Sequence, residues 1–289
     1  MQKRYSIVIP AYNEEGAVGA LLEEILREEP KGSFEVIVVD DCSSDRTRAV
    51  AEKYPVTVLS NVHNFGYGYS LKRGITAAKH DNIVILDADG SYPVASIAKL
   101  VHEYEKGFDM VVGARGGRYY RGSQAKRMAR FFFRVISEFA TGRTIPDINS
   151  GCRVFRKDAA VRFFKTLSSG FSFTTTITLA FMLNAYSVKY IPIEYHKRNG
   201  ESKVRYVRDT LRSAQIIVEA IVLYNPIKIF MLCALGVVIG GVLGAILGYF
   251  FPLLGMLLFL TIVFTILVLS FGFIAVLLKF MLANQSSHE

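Results

Sequence analysis

The sequence has few cysteines and a long stretch without charged side chains, and both features narrow the class of protein. Its three cysteines, Cys42, Cys152 and Cys233, are far apart and show no metal-ligand spacing, so they favour reduced thiols over a metal-binding module. No Asp, Glu, Lys, Arg or His occurs between Ile229 and Leu278. Because a helix needs about 20 apolar residues to cross a bilayer, this stretch is long enough for two spans.

The uncharged stretch predicts a two-helix transmembrane hairpin, with spans at about 227–249 and 253–279 and an interfacial turn between them. Lys228 and Lys279 flank the hairpin, while its central turn has no charge. The positive-inside rule therefore predicts an integral membrane protein whose two termini are cytoplasmic. Residues 1–40 contain no cleavable apolar segment, which agrees with that orientation. A buried hairpin of core helices is the alternative.

The predicted domains follow from these spans. They are a cytoplasmic catalytic domain at 1–204, an amphipathic interface helix at 205–225, the two spans at 226–282 and a short cytoplasmic tail at 283–289. The predicted interface helix has Arg205, Arg208 and Arg212 near its start and apolar residues after them. Such a helix suits a membrane surface, and packing on the sheet of the first domain is an equal alternative.

Positive charge is concentrated in one part of the chain. The formal net charge is +9, and seven arginines and lysines occur from Arg115 to Arg134 with no acidic residue among them. Such a run fits a nucleic acid, a membrane surface or a phosphorylated substrate. Because two spans are predicted in the same chain, we expect a lipid phosphate and no nucleic acid. A solvated helix face is the alternative.

Short apolar runs alternate with helical patterns through the first half of the chain. The predicted strands are 6–10, 35–40, 56–59, 82–86 and 110–112, with a late strand at 188–195. The predicted helices are 15–29, 45–54, 67–79, 94–106, 125–139 and 206–224. Apolar strands separated by helices are typical of an α/β fold, a mostly parallel sheet with helices on both faces. Such sheets bind ligands at the carboxyl ends of their strands.

Asp87-Ala88-Asp89 directly follows the fourth predicted strand. Two carboxylates one residue apart at a strand end can converge on one cation, and Mg²⁺ and Mn²⁺ prefer oxygen ligands that substrate phosphates also supply. We therefore predict a divalent-metal site that neutralises a departing diphosphate. A plain Asp-Gly turn is the alternative, since Gly90 follows.

Two other predicted strands also end in polar residues. The first ends in Pro10-Ala11-Tyr12-Asn13-Glu14, where the Tyr12 ring suits a flat base and Asn13 could cap the next helix. The second ends in Asp40-Asp41-Cys42-Ser43-Ser44-Asp45. We predict that Asp40 accepts hydrogen bonds from a base or ribose, and that Ser44 or Asp45 caps the following helix. The third helix opens at Asn64-Phe65-Gly66-Tyr67-Gly68, which lacks the third glycine of a dinucleotide fingerprint.

Together these motifs resemble the family 2 glycosyltransferases, which have the GT-A fold, a Rossmann-like α/β fold. Within that family they most resemble polyprenyl-phosphate glycosyltransferases of the dolichol-phosphate mannose synthase type. The segment from Asp147 to Arg156 resembles their Asp-x-x-Ser-Gly-Phe-Arg motif, and Arg198 with Ser202-Lys203 resembles their late Arg…Ser-Lys motif. The resemblance covers residues 5 to about 210, and a C-terminal membrane hairpin is common in the group.

The resemblance implies a role for each matching position. The residues that would bind the nucleotide-sugar are Pro10, Tyr12, Glu14, Asp40, Asp87, Ala88, Asp89, Arg198 and Lys203. The residues that would bind Mg²⁺ or Mn²⁺ are Asp87, Asp89 and Ser91, with Ser91 standing where relatives often have glutamine. Arg115 and Arg127 would hold the acceptor phosphate, and they are the predicted catalytic residues together with Asp89. Phe131 stands where relatives have a serine.

The resemblance also implies the substrates: a nucleotide-sugar, GDP-mannose before UDP-glucose or UDP-N-acetylglucosamine, and dolichyl or polyprenyl phosphate. A lipid phosphate has a second pKa of about 6, so it is largely a dianion at neutral pH and needs no catalytic base. We therefore expect direct in-line attack with inversion. One alternative, a processive polysaccharide synthase, would carry a Gln-x-x-Arg-Trp motif, and the sequence contains no Trp. The other is a membrane-tethered subunit that binds nucleotide-sugar without turnover. Glycines in the first span would also allow an oligomer through the transmembrane helices.

Overall fold

The computed structural model describes residues 4–28, 34–117, 124–197, 215, 217–219, 221 and 226–285. The chain forms two compact units, Met1–Ala214 and Gln215–Glu289. Most of the predicted interface helix at 205–225 lies outside the described residues, which include only 215, 217–219 and 221 of it.

The first unit is built on a seven-stranded sheet. Its strands are β1 (Tyr5–Ala11), β2 (Phe34–Asp40), β3 (Thr57–Ser60), β4 (Asn82–Ile85), β5 (Met110–Gly116), β6 (Arg153–Arg156) and β7 (Val188–Glu194). Their order across the sheet is β3-β2-β1-β4-β6-β5-β7. The pairs that β6 forms with β4 and β5 are antiparallel, and the other pairs are parallel. The predicted mostly parallel α/β sheet is confirmed.

Helices cover both faces of this sheet. They are α1 (Val18–Glu28), α2 (Thr47–Ala51), α3 (Tyr67–Ala77), α4 (Ala95–Tyr104), α5 (Gln124–Thr141), α6 (Lys157–Arg162) and α7 (Phe173–Leu183). On one face, Ile7 and Ile9 of β1 belong to a buried cluster with Leu22 of α1. On the other face, Val8 belongs to a second cluster with Ile75 of α3. Side chains on a strand alternate between the two faces, so a strand covered on both sides is apolar throughout.

Three elements of the first unit were not predicted from the sequence. The four-residue strand β6 begins and ends with arginine, so it lacks the apolar run that identified the other strands. Every residue from Phe173 to Met182 of α7 is buried, so this helix has no polar face to give it a helical pattern. Helix α6 is only six residues long.

The direction of β6 decides what lies at the functional edge of the sheet. Arg153 of β6 is opposite Ile85 of β4 and also opposite Val112 of β5. Because β6 runs antiparallel to both, the segment that precedes it reaches the carboxyl ends of β4 and β5. Residues 147–152 therefore lie at the same edge as Asp87.

The second unit contains two long helices, α8 (Pro226–Phe250) and α9 (Pro252–Gln285). Within α9, Pro252–Ile274 is long and apolar enough to cross a bilayer, and its most apolar stretch of 18 residues has a mean hydropathy of 2.8 with no residue buried in protein. Ala234–Phe250 of α8 is apolar but shorter than a full span by the same criterion. Both predicted spans are thus helical. Among the described residues, one apolar segment is long enough to span a membrane, so the two-span hairpin stays a prediction.

Candidate active site

The carboxyl ends of β1, β2 and β4 lie side by side and carry the predicted nucleotide and metal residues. In the parallel register, Ala11 of β1 is opposite Asp40 of β2. Val8 is opposite Ile85 of β4, two residues before Asp87. Because parallel strands end at the same edge of the sheet, this register brings three of the predicted motifs together.

The predicted nucleotide-binding residues at this edge differ in exposure. Tyr12 is 36% exposed, so its ring is accessible to a ligand. Pro10, Asp40 and Ala88 are buried, and Glu14 is at the limit of burial. Tyr12 is thus the member of this group that offers the most surface to a base.

Hydrogen bonds join the loops that follow β1 and β2. Asn13 Oδ1 accepts a hydrogen bond from Ser44 N at 2.8 Å, and Asn13 N donates to Ser43 Oγ at 2.9 Å. Glu14 N donates to Thr47 Oγ1 at 2.7 Å. The N-cap of α2 is Arg46 and not the predicted Ser44 or Asp45, but Asp45 Oδ1 accepts a hydrogen bond from the backbone N of Thr47, the first residue of the helix. Asn13, predicted as a helix cap, bridges the two loops.

The two adjacent aspartates after β2 have different environments. Asp41 accepts hydrogen bonds from Asn61 Nδ2 at 2.7 Å, Phe65 N at 3.0 Å and Gly66 N at 2.8 Å. It therefore holds the loop that enters α3. The Asp40 carboxylate has longer bonds, 3.3 and 3.4 Å, from Ser43 N. A carboxylate can accept about four hydrogen bonds, so Asp40 retains capacity for a ligand.

Two neighbours fix the Asp87 carboxylate. The Tyr67 hydroxyl donates to Asp87 Oδ1 at 2.8 Å. Gly151 packs so closely on the other side that a Cβ in its place would overlap the carboxylate. Burial of the hydroxyl, followed by the charge of Asp87, raises the pKa of Tyr67 well above its ordinary value. Tyr67 therefore keeps its proton and donates at neutral pH.

Asp89 is 5% exposed and is oriented by its own turn. Ser91 N and Ser91 Oγ both donate to Asp89 Oδ1, at 3.0 and 2.5 Å. The Ser91 carbonyl accepts a hydrogen bond from His196 N at 2.9 Å. Ser91 thus positions a predicted metal ligand, and its own role as a ligand stays a prediction. Among the described residues, no group of three His, Cys, Asp or Glu side chains is placed to hold a metal.

A fully buried arginine holds the segment before β6. The Arg153 guanidinium donates through Nη2 to the Ser150 carbonyl at 2.6 Å and through Nη1 to Thr178 Oγ1 at 2.9 Å. Burial lowers the pKa of Arg153, and these hydrogen bonds replace the water that the group loses. Gly151 N donates to the Tyr92 hydroxyl oxygen at 2.7 Å. The segment beside Asp87 is therefore anchored through both backbone and side chain.

Arg115 at the end of β5 forms a mostly buried ion pair with Asp147. Arg115 Nε and Nη2 donate to the two Asp147 oxygens at 2.7 and 2.8 Å, and Arg115 N also donates to Oδ2 at 3.1 Å. The two side chains are 16% and 3% exposed. The guanidinium carbon also lies 5.5 Å from the centre of the Tyr195 ring. Asp147 thus sets the direction of one of the two arginines predicted to hold the acceptor phosphate.

A cavity of about 600 Å³ lies beside this ion pair. Arg115 and Arg127, the two predicted acceptor residues, both line it. Its other positive residues are Arg130 and Arg134. Its apolar lining consists of Met128, Phe131, Phe133, Ile145, Pro146 and Ile148. Gln124, Asp147 and Asn149 complete the wall. The cavity can therefore hold an anionic group and an apolar chain together.

Of the other predicted site residues, Arg198 and Lys203 lie outside the described residues. Tyr67, Asp147 and Asn149 lie in segments with recognisable motifs, but the sequence predicts no role for these three residues. Their contacts join separate elements of the fold, and no local pattern in the sequence signals them.

With this geometry in place, comparison with known proteins defines the class. The profile of the family described as glycosyl transferase family 2 matches residues 6–164. This match covers the strand-end motifs, Arg115, Arg127 and the segment around Arg153. The chain therefore belongs to glycosyltransferase family 2, a family of glycosyltransferase enzymes.

Several relatives are about 30% identical to this chain over the aligned residues. A dolichyl-phosphate hexose transferase of Haloferax volcanii is 30% identical over 203 residues, 69% of this chain and 86% of that protein. A dolichol-phosphate mannosyltransferase of Pyrococcus furiosus is 30% identical over 70% of this chain and 59% of its own length. The dolichyl-phosphate beta-glucosyltransferase of Homo sapiens is 29% identical over 57% of this chain and 58% of its own length.

Solved structures share the fold at lower identity. Glucosyl-3-phosphoglycerate synthase from Mycobacterium tuberculosis, in complex with Mn²⁺, uridine diphosphate and phosphoglyceric acid, has a TM-score of 0.62 and 17% identity. The alignment covers 76% of this chain and 78% of that one. The predicted GT-A fold of the first unit is thus confirmed.

Proposed function

We propose that this enzyme transfers a sugar from a nucleoside-diphosphate donor to dolichyl or another polyprenyl phosphate, with inversion at the anomeric carbon. GDP-mannose is the favoured donor, and UDP-glucose and UDP-N-acetylglucosamine are the alternatives. The relatives named above, which act on dolichyl phosphate by their names, support the acceptor class.

The cavity carries this proposal. Arg115, Arg127 and Arg130 supply positive charge for a phosphate, whereas Met128 and Ile148 supply apolar surface next to it. Guanidinium groups bind phosphate oxygens through pairs of N–H donors. A soluble sugar acceptor has no apolar part that would pack on this wall, whereas a prenyl chain attached to the phosphate would pack on it.

The donor is proposed to lie along the carboxyl ends of β1, β2 and β4. Tyr12 and Asp40 would contact the base and ribose, and Asp87 and Asp89 would hold a divalent cation with the diphosphate. Two fixed carboxylates fit Mg²⁺ or Mn²⁺, because those ions take several of their oxygen ligands from substrate phosphates and water. When bound, the cation would neutralise charge on the departing diphosphate.

The residues around the cavity perform positioning and charge neutralisation. A phosphate oxygen of the acceptor attacks the anomeric carbon, and the bond from that carbon to the donor diphosphate breaks with its electron pair leaving on the diphosphate. No proton is removed in this step, since the acceptor is already a dianion. Asp147 is paired with Arg115, so its role is to aim the guanidinium at the acceptor.

The membrane placement is also proposed. Pro252–Ile274 of α9 is apolar and mostly exposed, and α8 precedes it directly. Two such helices would hold the enzyme in the bilayer that contains its acceptor. The catalytic unit and both termini would be cytoplasmic, where nucleotide-sugars are made.

The proposal is tested with purified full-length protein in detergent. The protein is incubated with Mg²⁺ or Mn²⁺, one of the three donors, and dolichyl phosphate or undecaprenyl phosphate, and lipid-linked sugar is measured by mass spectrometry. We expect one donor to give a lipid-phosphate-linked monosaccharide. Asp89→Asn should reduce the rate by about 100-fold or more, because it weakens binding of the cation that would neutralise the leaving diphosphate. Asp158→Asn, at an exposed ion pair, is the matched control.

Other results would select a different function. Binding of a nucleotide-sugar without product from any donor would favour the tethered subunit. A polymeric product would favour a polysaccharide synthase. Full activity of Asp89→Asn would refute the metal assignment.

A further inference from the structure

One cavity residue, Asn149, has its side-chain amide held in a fixed orientation. Thr175 Oγ1 of α7 donates to Asn149 Oδ1 at 2.6 Å. Asn149 N donates to Asp147 Oδ1 at 3.2 Å, so backbone and side chain are both restrained. Asn149 is exposed and lines the cavity, whereas Thr175 is 1% exposed.

The Thr175 hydroxyl differs from its neighbours on the same helix. Thr176 and Thr178 donate to carbonyls four residues earlier, at 3.1 and 2.8 Å. That is the usual local partner of a threonine in a helix. Thr175 instead donates across to the segment before β6. A buried hydroxyl needs a partner, so this contact is a strong restraint on the amide.

The restraint determines which atoms Asn149 offers to a ligand. An amide has an acceptor oxygen and an NH₂ group with two donors. Thr175 Oγ1 donates to Oδ1, and among the described residues Nδ2 forms no hydrogen bond with the protein. The group left for a ligand is therefore a neutral pair of N–H donors, next to the arginines that line the same cavity. These donors can bind the oxygens of an anion that the neighbouring arginines attract.

The position of Asn149 along the chain indicates which anion it would bind. Asn149 lies two residues after Asp147, which holds Arg115, and two residues before Gly151, which packs against Asp87. It therefore stands between the proposed acceptor arginine and the proposed donor edge. The geometry points to Asn149 as a ligand of the acceptor phosphate that places the attacking oxygen, with Thr175 as its positioning residue. This inference rests on the proposed acceptor class.

The inference predicts a selective effect on the lipid phosphate. Asn149→Asp keeps the shape and the bond from Thr175 but puts a carboxylate where the N–H donors were. Because a hydrogen bond to a charged group is lost and repulsion is added, we expect the KM for undecaprenyl phosphate to rise by about tenfold or more. The KM for the nucleotide-sugar should stay within about twofold of wild type. Thr175→Val should raise the same KM by about threefold to tenfold, and Thr175→Ser should restore it.

A binding measurement separates this inference from the proposed function. We would measure the affinity of full-length wild type and variants for undecaprenyl phosphate in detergent, without the sugar donor. Undecaprenol, which has no charge, is the control ligand. Weaker binding of the phosphate alone in Asn149→Asp supports the inference, even where no donor gives product and the proposed transfer fails. Equal affinities for the phosphate overturn it. An equal loss of affinity for undecaprenyl phosphate and for undecaprenol would overturn the inference in favour of a structural role. Failure of Thr175→Ser to restore the KM would overturn it in the same way.

Discussion

The Tyr67 hydroxyl and Asp87 Oδ1 are joined by a hydrogen bond of 2.8 Å between residues on different elements. Tyr67 begins α3, and Asp87 follows β4, so the bond ties a helix to the strand end that carries the predicted metal site. Gly151 closes the opposite side of the same carboxylate. The orientation of Asp87 is therefore set before any ligand arrives, which reduces the cost of binding.

Removing the Tyr67 hydroxyl should weaken metal binding. Tyr67→Phe keeps the ring but lets Asp87 rotate, and loss of one hydrogen bond to a charged group corresponds to about 1–2 kcal/mol. We expect the affinity for Mn²⁺ with bound nucleoside diphosphate to fall by about fivefold to thirtyfold. Electron paramagnetic resonance of free Mn²⁺ measures this without turnover. Tyr69→Phe on the same helix is the control, and equal Mn²⁺ affinity in Tyr67→Phe would contradict the assignment.

A side chain at position 151 should disable the donor site. In Gly151→Ala, the new Cβ would overlap the Asp87 carboxylate, so the carboxylate or the segment before β6 must move. Since a misplacement of about 1 Å can cost about 100-fold in rate, we expect a loss of that order with the fold retained. Steady-state transfer and thermal unfolding measure the two effects. Gly16→Ala, where a Cβ meets open space, is the control. Normal activity in Gly151→Ala would show that Asp87 tolerates displacement.

The two predicted acceptor arginines should differ in their effect on stability. Arg115→Ala leaves Asp147 buried without its ion-pair partner, and breaking such a pair costs about 3 kcal/mol. Arg127 is exposed, so Arg127→Ala should change the free energy of unfolding by less than about 0.5 kcal/mol. Both variants should weaken binding of undecaprenyl phosphate. Denaturant unfolding and lipid-phosphate binding measure the two quantities.

A double variant tests the cause of the Arg115 effect. Arg115→Ala combined with Asp147→Ala removes the uncompensated carboxylate as well as the arginine. We expect it to recover much of the lost stability while the affinity for the lipid phosphate stays low. Equal stability of the single and double variants would show that the unpaired Asp147 carboxylate is not the cause of the loss in Arg115→Ala.

The elements of the fold with a simple pattern could be predicted from the sequence. β1 and β2 are apolar because helices cover both faces of the sheet. The strand β6 could not be predicted, because its first residue is Arg153, a charged residue that is buried while it donates hydrogen bonds to Ser150 and to the distant helix α7. Helix α7 was missed because burial on all sides removes its amphipathic pattern.

Parts of the candidate site could likewise be predicted from the sequence, and other parts could not. The positions of Asp40 and Asp87 follow from the rule that parallel strands end at one edge, so both could be predicted. The Tyr67–Asp87 and Thr175–Asn149 contacts could not, since they join residues 20 and 26 positions apart on elements whose mutual orientation only the fold sets. A family motif shows that these positions match those of relatives, but it does not show which atoms are in contact.

The orientation of the catalytic unit across the membrane can be tested with a cysteine already in the chain. Cys42 is exposed and Cys152 is buried, and burial raises the pKa of the Cys152 thiol to about 12. A maleimide reacts with the thiolate, so Cys42 should label much faster than Cys152. If Lys228 and Lys279 hold both termini in the cytoplasm, a membrane-impermeant maleimide should label Cys42 in inside-out vesicles and not in intact cells. Cys42→Ser reports labelling at the other cysteines. Rapid labelling of Cys42 in intact cells would place the catalytic unit outside, away from cytoplasmic nucleotide-sugars, and would refute the proposed topology.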